Sequence, residues 1–270
     1  MTGDEVAFYR ENGWASLPGF LSPDIAAEML EYVEERLGKD GRRLDQPAGA
    51  KAVLTESDRW RDLRFLARDE HVEPFRSLVF SKEMGENAQR MIGRNERIDI
   101  RYDVDGILLK VPQGAMASGE TGWHQDFPNL SQDRIGYLVF WFALNDIPPE
   151  RGSMRFLSGS HREGSLGRTL RGGLDLVTQF PEIAERNPIS PPLDLKAGDA
   201  TCHHSLVVHS APPNMTDIPR WGYGLGYFPD DVCYTGAQFA HTDNLGLPIG
   251  GPIDHPHFPI VWSRDADVAR

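Results

Sequence analysis

The spacing of hydrophobic and polar positions changes near residue 97, and this change divides the chain into a helical beginning and a strand-rich remainder. Before residue 97, apolar residues recur every three or four positions, which is the spacing of one helix face. The pattern predicts one helix over residues 2–12, a second from residue 22 and a third near 72–92, with a short strand at 14–18 and an exposed loop at 39–61.

The helix ends carry the expected capping residues. Thr2 and Ser22 have side-chain oxygens that cap a helix N-terminus, and Pro23 suits the first helical position. Gly13 follows the first helix, as a C-terminal glycine does. The second helix is predicted to bury a face formed by Ile25, Met29, Tyr32, Val33 and Leu37.

After residue 97 the apolar residues alternate in short runs separated by glycine and proline, which predicts β-strands. Many short strands favour a mainly β protein with flanking helices, built as a jelly-roll or cupin-like barrel. We expect one domain over 1–270, with a helical layer and first strands at 1–96, a barrel core at 97–230 and a C-terminal loop or tail at 231–270. The predicted strands are 98–102, 106–111, 136–145, 153–157, 199–203, 206–209 and 222–228.

Composition excludes some classes of function. The chain of 270 residues has a net charge of −12, which argues against nucleic acid and acidic membrane surfaces as partners. Its two cysteines are expected to be reduced thiols. The charged N-terminus lacks the apolar run of a secretion signal, and no segment is apolar enough to span a membrane. We therefore expect a cytoplasmic protein that acts on a small molecule. The oligomeric state is not predicted.

The chemistry is concentrated in two segments. His124 and Asp126 have the H-x-D spacing that lets both side chains point into a barrel from one strand or its end. His209 follows another apolar run and offers a third ligand from across the barrel. Two imidazoles and one carboxylate form the ligand set of a non-haem Fe(II) site with open coordination positions. The H-x-D pair by itself is equally consistent with a turn hydrogen bond.

Three further residues stand near these segments. Arg220 follows His209 by eleven residues, and its guanidinium can bind the distal carboxylate of a dicarboxylate in bidentate fashion. Without other context, Arg220 would be a surface ion pair and Lys110 a solvated charge. Trp141 lies in an apolar run and by itself would be assigned to the core.

The order of several segments resembles the phytanoyl-CoA dioxygenase-like family of Fe(II)/2-oxoglutarate oxygenases. The similarity covers most of residues 5–230. It is carried by FYRENGW with LPGFLS, by GWHQD, by WFALND, RGS and SGSH, and by Gly198-Asp199, His203-His204, His209, Asn214 and Arg220.

The resemblance implies a double-stranded β-helix with iron at His124, Asp126 and His209. It also implies that 2-oxoglutarate is bound by Arg220, in a pocket lined by Lys110 and Trp141, and that O2 is the oxidant. The expected activity is hydroxylation of an unactivated C–H bond, with release of succinate and CO2.

Two positions qualify this resemblance. Relatives often have serine two residues after the distal histidine, whereas this chain has Ala211, preceded by Ser210. One hydrogen bond to 2-oxoglutarate is therefore expected to be missing or moved. Halogenating relatives replace the carboxylate ligand with a small residue, so the presence of Asp126 argues against halogenation.

Other functions stay open at this point. Epimerisation, desaturation and cyclisation begin from the same substrate radical, and the motif does not separate them from hydroxylation. A non-oxidative metal-dependent cupin enzyme and a non-catalytic binding protein are the two other classes considered. A small metabolite or natural-product intermediate is favoured as substrate, because a CoA thioester would need a denser basic cluster. The C-terminal histidines are expected to serve packing and turns, although that tail is also a candidate for covering the pocket.

Overall fold

Two antiparallel β-sheets face each other, and helices cover the outer surface of the larger sheet. The computed structural model describes residues 1–41, 63–93, 98–112, 120–168 and 175–263. The predicted loop at 39–61 therefore falls mostly outside the described residues. The sheets form the mainly β, double-stranded β-helix barrel that the sequence predicts.

The large sheet has six strands in the order β1-β6-β4-β8-β2-β9, and the small sheet has three in the order β3-β7-β5. Both outer strands of the large sheet come from segments outside 97–230, because β1 precedes this range and β9 follows it. The strands are β1 (Trp14–Leu17), β2 (Ile100–Lys110), β3 (Thr121–His124), β4 (Leu138–Ala143), β5 (Arg155–Phe156), β6 (Ala200–His204), β7 (His209–Ala211), β8 (Arg220–Pro229) and β9 (Ile260–Trp262).

The helices begin where the capping residues predict. Thr2 forms a capping box with Glu5, and Ser22 accepts a hydrogen bond from the main-chain N–H of Ile25. Met29, Val33 and Leu37 are buried as predicted, whereas Ile25 is exposed. The helices are α1 (Gly3–Asn12), α2 (Pro23–Leu37), α3 (Phe75–Val79), α4 (Lys82–Ile92), α5 (Leu176–Gln179) and α6 (Pro181–Arg186).

Strand alternation gives the large sheet two different faces. On β8, Trp221, Tyr223 and Tyr227 point into the core shared with α1 to α4. The intervening Gly222, Gly224 and Gly226 leave the face turned towards the small sheet without side chains. Aromatic burial on one face therefore stabilises the barrel, while the glycine face leaves room inside it.

The predicted helix at 72–92 is two helices, and the prediction of a single one was wrong. Ser81 adopts an extended conformation and accepts a hydrogen bond from the main-chain N–H of Met84. Ser81 is thus the N-cap of α4, so the chain starts a new helix there. Apolar periodicity continues across the break, which is why the pattern did not reveal it.

Three strand predictions also change. The two strands predicted at 98–102 and 106–111 are parts of one strand, β2 (Ile100–Lys110), which pairs with β8 along its whole length. Residues 206–208 form a buried turn, and His209 begins β7 rather than ending a strand. The C-terminal tail contains β9, which packs its Trp262 against Gly85 of α4. Short apolar runs do not distinguish a buried turn from a buried strand.

Among the residues that the structure describes, we find no helix with both the length and the apolar character needed to cross a membrane.

Candidate metal centre and co-substrate pocket

The three candidate iron ligands meet at one point between the two sheets. His124 ends β3 and His209 begins β7, and these two residues are direct partners in the small sheet. The Oδ1 atom of Asp126 lies 3.6 Å from His124 Nε2 and 3.8 Å from His209 Nε2. The ligand atoms of the three residues all lie within 4.8 Å of one another. One metal ion can therefore contact all three.

His124 and Asp126 point to the same place at the end of a strand, as predicted, but Asp126 reaches it by a turn rather than by strand alternation. β3 ends at His124, and Asp126 adopts a helical conformation before a short 3-10 helix at Phe127–Asn129. The carbonyl of Ser205 accepts hydrogen bonds from the N–H groups of Asp126 and Phe127. This contact holds the turn against the large sheet.

Hydrogen bonds fix the tautomers of both histidines. His124 Nδ1 lies 2.8 Å from the carbonyl of Gly122, and His209 Nδ1 lies 3.1 Å from the carbonyl of Val207. Because a carbonyl only accepts, each Nδ1 carries the hydrogen and each Nε2 presents its lone pair towards Asp126. The rings are thus oriented as metal ligands by their own strands.

The ionisation states agree with this role. Burial lowers the pKa of His124 and of His209 to about 4, so both imidazoles are neutral at physiological pH. Burial raises the pKa of Asp126, but His209 and the hydrogen bond from His203 outweigh it and hold the pKa below its ordinary value. Two neutral imidazoles and one carboxylate are the donor set that suits Fe(II), and the donors fit a single ion.

His203 is a functional candidate that the sequence did not assign. Its Nε2 donates a hydrogen bond of 3.1 Å to Asp126 Oδ2, the oxygen that faces away from the two ligand histidines. The sequence predicted that one of His203 and His204 faces inward, and this is confirmed. His203 lines the cavity, whereas His204 accepts a hydrogen bond from the N–H of Leu206.

The co-substrate end, which we define as Lys110, Trp141 and Arg220, lies where β2 meets β8. Lys110 and Arg220 are direct partners in this ladder, and both are buried. Lys110 Nζ donates to the carbonyl of Ala211 at 2.9 Å, and Arg220 donates to the carbonyl of Gly152 at 2.8 Å. Their burial rules out the surface ion pair and the solvated charge considered from the sequence.

Trp141 contributes an aromatic wall to this end. The Arg220 guanidinium lies 5.4 Å from the centre of its ring, which is a cation–π distance. A Cβ atom at Gly222 would come within 2.1 Å of the Trp141 ring. Only glycine at position 222 therefore lets the indole lie against β8 beside Arg220. Trp141 and Arg220 line the cavity, whereas Lys110 lies behind its wall.

A cavity of about 390 Å³ joins the metal ligands to Arg220 and continues away from both. Ala211 and Ser210 are both on its wall. The far part is lined by residues that the sequence did not assign to a site, among them Asn129, Tyr137, Val139, Phe239 and His241. His241 belongs to the C-terminal segment, where packing was the favoured expectation. In the sequence, only the imidazole of His241 and its place in the C-terminal segment could have indicated that this residue belongs to a site.

The family described as Phytanoyl-CoA dioxygenase (PhyH) has a sequence model that matches residues 9–222. The phytanoyl-CoA dioxygenase domain-containing protein 1 of Danio rerio is 33% identical over 263 residues, covering 83% of this chain and 88% of that protein. The methylphosphonate hydroxylase of Gimesia maris is 25% identical over 231 residues, covering 84% of this chain and 80% of that protein.

Two crystal structures of non-heme alpha ketoglutarate (2-oxoglutarate) dependent enzymes from nogalamycin biosynthesis are similar over nearly the whole chain. The carbocyclase SnoK is 28% identical with a TM-score of 0.73, and 97% of each chain is covered. The epimerase SnoN, in complex with Fe3+, alpha ketoglutarate and nogalamycin RO, is 26% identical with a TM-score of 0.71. Here 96% of this chain and 98% of that chain are covered.

Proposed function

The chain belongs to the phytanoyl-CoA dioxygenase family and is a non-haem iron, 2-oxoglutarate-dependent dioxygenase, and from that premise we propose that it hydroxylates an unactivated C–H bond of a small metabolite or natural-product intermediate. Its co-substrates are 2-oxoglutarate and O2. The observation that carries the proposal is one cavity with three metal-ligand side chains on its wall and a buried guanidinium at its end.

We assign the iron to His124, Asp126 and His209. The two Nε2 lone pairs and the carboxylate oxygen would hold the ion, and a set of three protein ligands would leave coordination positions for 2-oxoglutarate and O2. His203 holds the second carboxylate oxygen of Asp126, so that Oδ1 stays directed towards the metal.

The same proposal places 2-oxoglutarate between the metal ligands and Arg220. The guanidinium binds the distal carboxylate, and Trp141 forms the wall beside it. Lys110 adds a second buried positive charge behind Arg220 and fixes the main chain at Ala211. Two adjacent cations suit a carboxylate that has lost its hydration shell.

When bound, iron and 2-oxoglutarate supply the oxidation itself, in which O2 is consumed, the co-substrate is split into succinate and CO2, and a substrate C–H bond is hydroxylated. The side chains of this protein orient the reactants and exclude water. No general acid or base is assigned, and the apolar lining from Val139, Leu130 and Phe239 shelters the reacting carbon.

A second candidate is a skeletal or stereochemical change at the same iron site. SnoK and SnoN are named as a carbocyclase and an epimerase, and the chain is similar to both over almost its whole length. The methylphosphonate hydroxylase favours hydroxylation. A role in secondary metabolism and a single catalytic domain over 1–270 are part of the proposal, the latter because β1 and β9 complete the large sheet.

The test uses the purified protein under anaerobic conditions. Fe(II) plus 2-oxoglutarate should produce a visible charge-transfer band in the wild type, and His209→Ala should abolish it. His255→Ala removes a histidine outside the cavity and serves as the matched control that keeps the band. With O2 and candidate substrates, the release of succinate is measured. The molecular mass of the product is then determined by mass spectrometry. A gain of one oxygen supports hydroxylation, whereas a loss of two hydrogens or an unchanged mass supports the second candidate. Absence of the band in the wild type would refute the iron assignment.

A further inference from the structure

A second polar group lies in the distal part of the cavity and has no role in binding iron or 2-oxoglutarate. The distal cluster, which we define as Asp103, Tyr137 and His241, is centred on one carboxylate oxygen. Asp103 Oδ2 accepts a hydrogen bond from the Tyr137 hydroxyl at 2.7 Å and lies 3.1 Å from His241 Nδ1. Asp103 itself is buried and does not line the cavity, whereas Tyr137 and His241 do.

A β-bulge places Asp103 in this position. The β2–β8 ladder pairs Tyr102 with Tyr227 and then Val104 with Gly226, so Asp103 is the extra residue. Such a bulge redirects a side chain. Without it, strict alternation would not direct Asp103 and Val104 to the same side of the sheet. Here Asp103 contacts two cavity residues, and Val104 lines the cavity itself.

The other two members are also held in place. A Cβ atom at Gly226 would lie 2.1 Å from the Tyr137 hydroxyl oxygen, so this glycine makes room for the phenol. The neighbour of His241, Thr242, forms a buried hydrogen bond of 2.8 Å with Ser131. The His241 ring also packs against Phe239, with 4.4 Å between ring centres. The cluster is therefore preorganised before any substrate binds.

These contacts determine what His241 offers to a ligand. The carboxylate of Asp103 accepts from Nδ1, so Nδ1 carries the hydrogen, and in the neutral imidazole Nε2 is then the acceptor. Among the described residues, none forms a hydrogen bond with His241 Nε2. The distal part of the cavity thus contains a hydrogen-bond acceptor without a protein donor.

The remaining walls of this part are apolar. They consist of Val104, Leu130, Val139 and Phe239, together with the side-chain-free surface of Gly224 and Gly226. Gly226, the residue of β8 that faces the Tyr137 hydroxyl, lies six residues from Arg220, or about 20 Å at the rise of a strand. A carboxylate bound at Arg220 therefore lies far from the Tyr137 end of the cavity.

We propose that His241 Nε2 accepts a hydrogen bond from a hydroxyl group of the primary substrate, and that this substrate is an uncharged, mainly apolar compound bearing that hydroxyl. Asp103 is a positioning residue that acts through His241 by fixing its tautomer and ring orientation. This inference rests on the proposed function, because it names the substrate class for the same iron site. No bond is made or broken by the distal cluster.

The experiment compares two probes that differ only at the donor. The protein with Fe(II) and 2-oxoglutarate is titrated anaerobically with 2-naphthol and with its methyl ether, 2-methoxynaphthalene, in a calorimeter. The wild type should bind the naphthol about five- to tenfold more tightly, as expected for one hydrogen bond. His241→Phe keeps a ring of similar size without the acceptor and should bring the ratio close to one. His255→Phe, a matched change outside the cavity, should keep the wild-type ratio.

A second variant tests the orientation of the imidazole. In Asp103→Leu combined with Tyr137→Phe, the shared carboxylate and its other donor are removed together. Nitrogen-15 NMR of the imidazole should show the Nδ1–H tautomer in the wild type and a mixture of tautomers in this variant. A purely structural role of Asp103 would leave the tautomer unchanged, and that result would overturn its assignment.

The outcomes separate this inference from the proposed function. Loss of the naphthol preference in His241→Phe supports the inference. It is overturned if the wild type shows no preference, if the wild type binds neither probe up to its solubility limit, or if the preference survives in His241→Phe. In each of these cases the proposed function still stands provided that the wild type forms the Fe(II)–2-oxoglutarate band. Absence of that band refutes the proposed function instead.

Discussion

The two ends of the cavity are constructed in different ways. The metal ligands and the co-substrate end use residues on regular strands or directly beside them, in segments with short, recognisable spacings. The distal cluster uses a bulged residue, a residue before β4 and a residue of the C-terminal segment. The comparison indicates that the chemistry shared with relatives is encoded locally, while the contacts we assign to the substrate depend on irregular structure.

The largest effect is expected at the co-substrate end. Arg220→Ala removes a charge-assisted hydrogen bond, so the KM for 2-oxoglutarate should rise about tenfold to a hundredfold. The iron content should stay near the wild-type value, because Arg220 is not a metal ligand in our assignment. The KM for 2-oxoglutarate is measured from steady-state succinate formation, and the iron content is measured by metal analysis. Equal losses of iron and of 2-oxoglutarate binding would contradict the division of roles.

Two glycines of β8 provide a matched comparison of the ends. Gly222→Ala places a Cβ against Trp141, and Gly226→Ala places one against the Tyr137 hydroxyl. Each should lower the free energy of unfolding by about 1–3 kcal/mol through overpacking. Gly222→Ala should raise the KM for 2-oxoglutarate, whereas Gly226→Ala should mainly weaken 2-naphthol binding. Urea denaturation and the two binding assays measure these effects. The same pattern in both variants would show that the two ends are not independent.

A smaller effect is expected at His203. His203→Leu removes the hydrogen bond to Asp126 Oδ2 and should weaken Fe(II) binding about tenfold, as the loss of an outer partner of a metal ligand does. His203→Gln retains a donor and should recover part of the affinity. Metal titration of the three proteins measures this. If leucine and glutamine behave alike, the hydrogen bond is not what positions the carboxylate.

The smallest effect lies outside both ends. Burial lowers the pKa of His204 to about 4, below its value in the unfolded chain, so only the unfolded state takes up this proton between about pH 6.5 and pH 4. The free energy of unfolding therefore decreases as the pH is lowered through this window. In metal-free protein, His204→Gln should reduce the loss between about pH 7.5 and about pH 5.5 by about 1 kcal/mol. Urea denaturation at both pH values is the measurement, and an identical slope in wild type and variant would refute the assignment.

The sequence predicted those parts of the molecule whose information is local. The caps at Thr2 and Ser22 mark the helix starts because a side-chain oxygen acts on main-chain groups only three residues away. The apolar run around Trp141, bounded by turn residues, identified β4, because a strand buried on both faces is apolar at nearly every position. The spacings of His124, Asp126, His209 and Arg220 indicated iron and 2-oxoglutarate, because these residue types have few other uses in that order.

Tertiary structure decided everything that depends on which distant segments meet. Only the folded chain brings His203 to Asp126, buries Lys110 beside Arg220 and carries His241 back to Asp103, which is 138 residues away. The bulge at Asp103 and the turn at Asp126 both interrupt the regular alternation of a strand. Neither could be detected in the sequence, because a pattern of hydrophobic positions reveals only regular structure. The sequence by itself determined the class of chemistry, and the packing of the sheets and the C-terminal segment decided the shape and polarity of the space offered to the substrate.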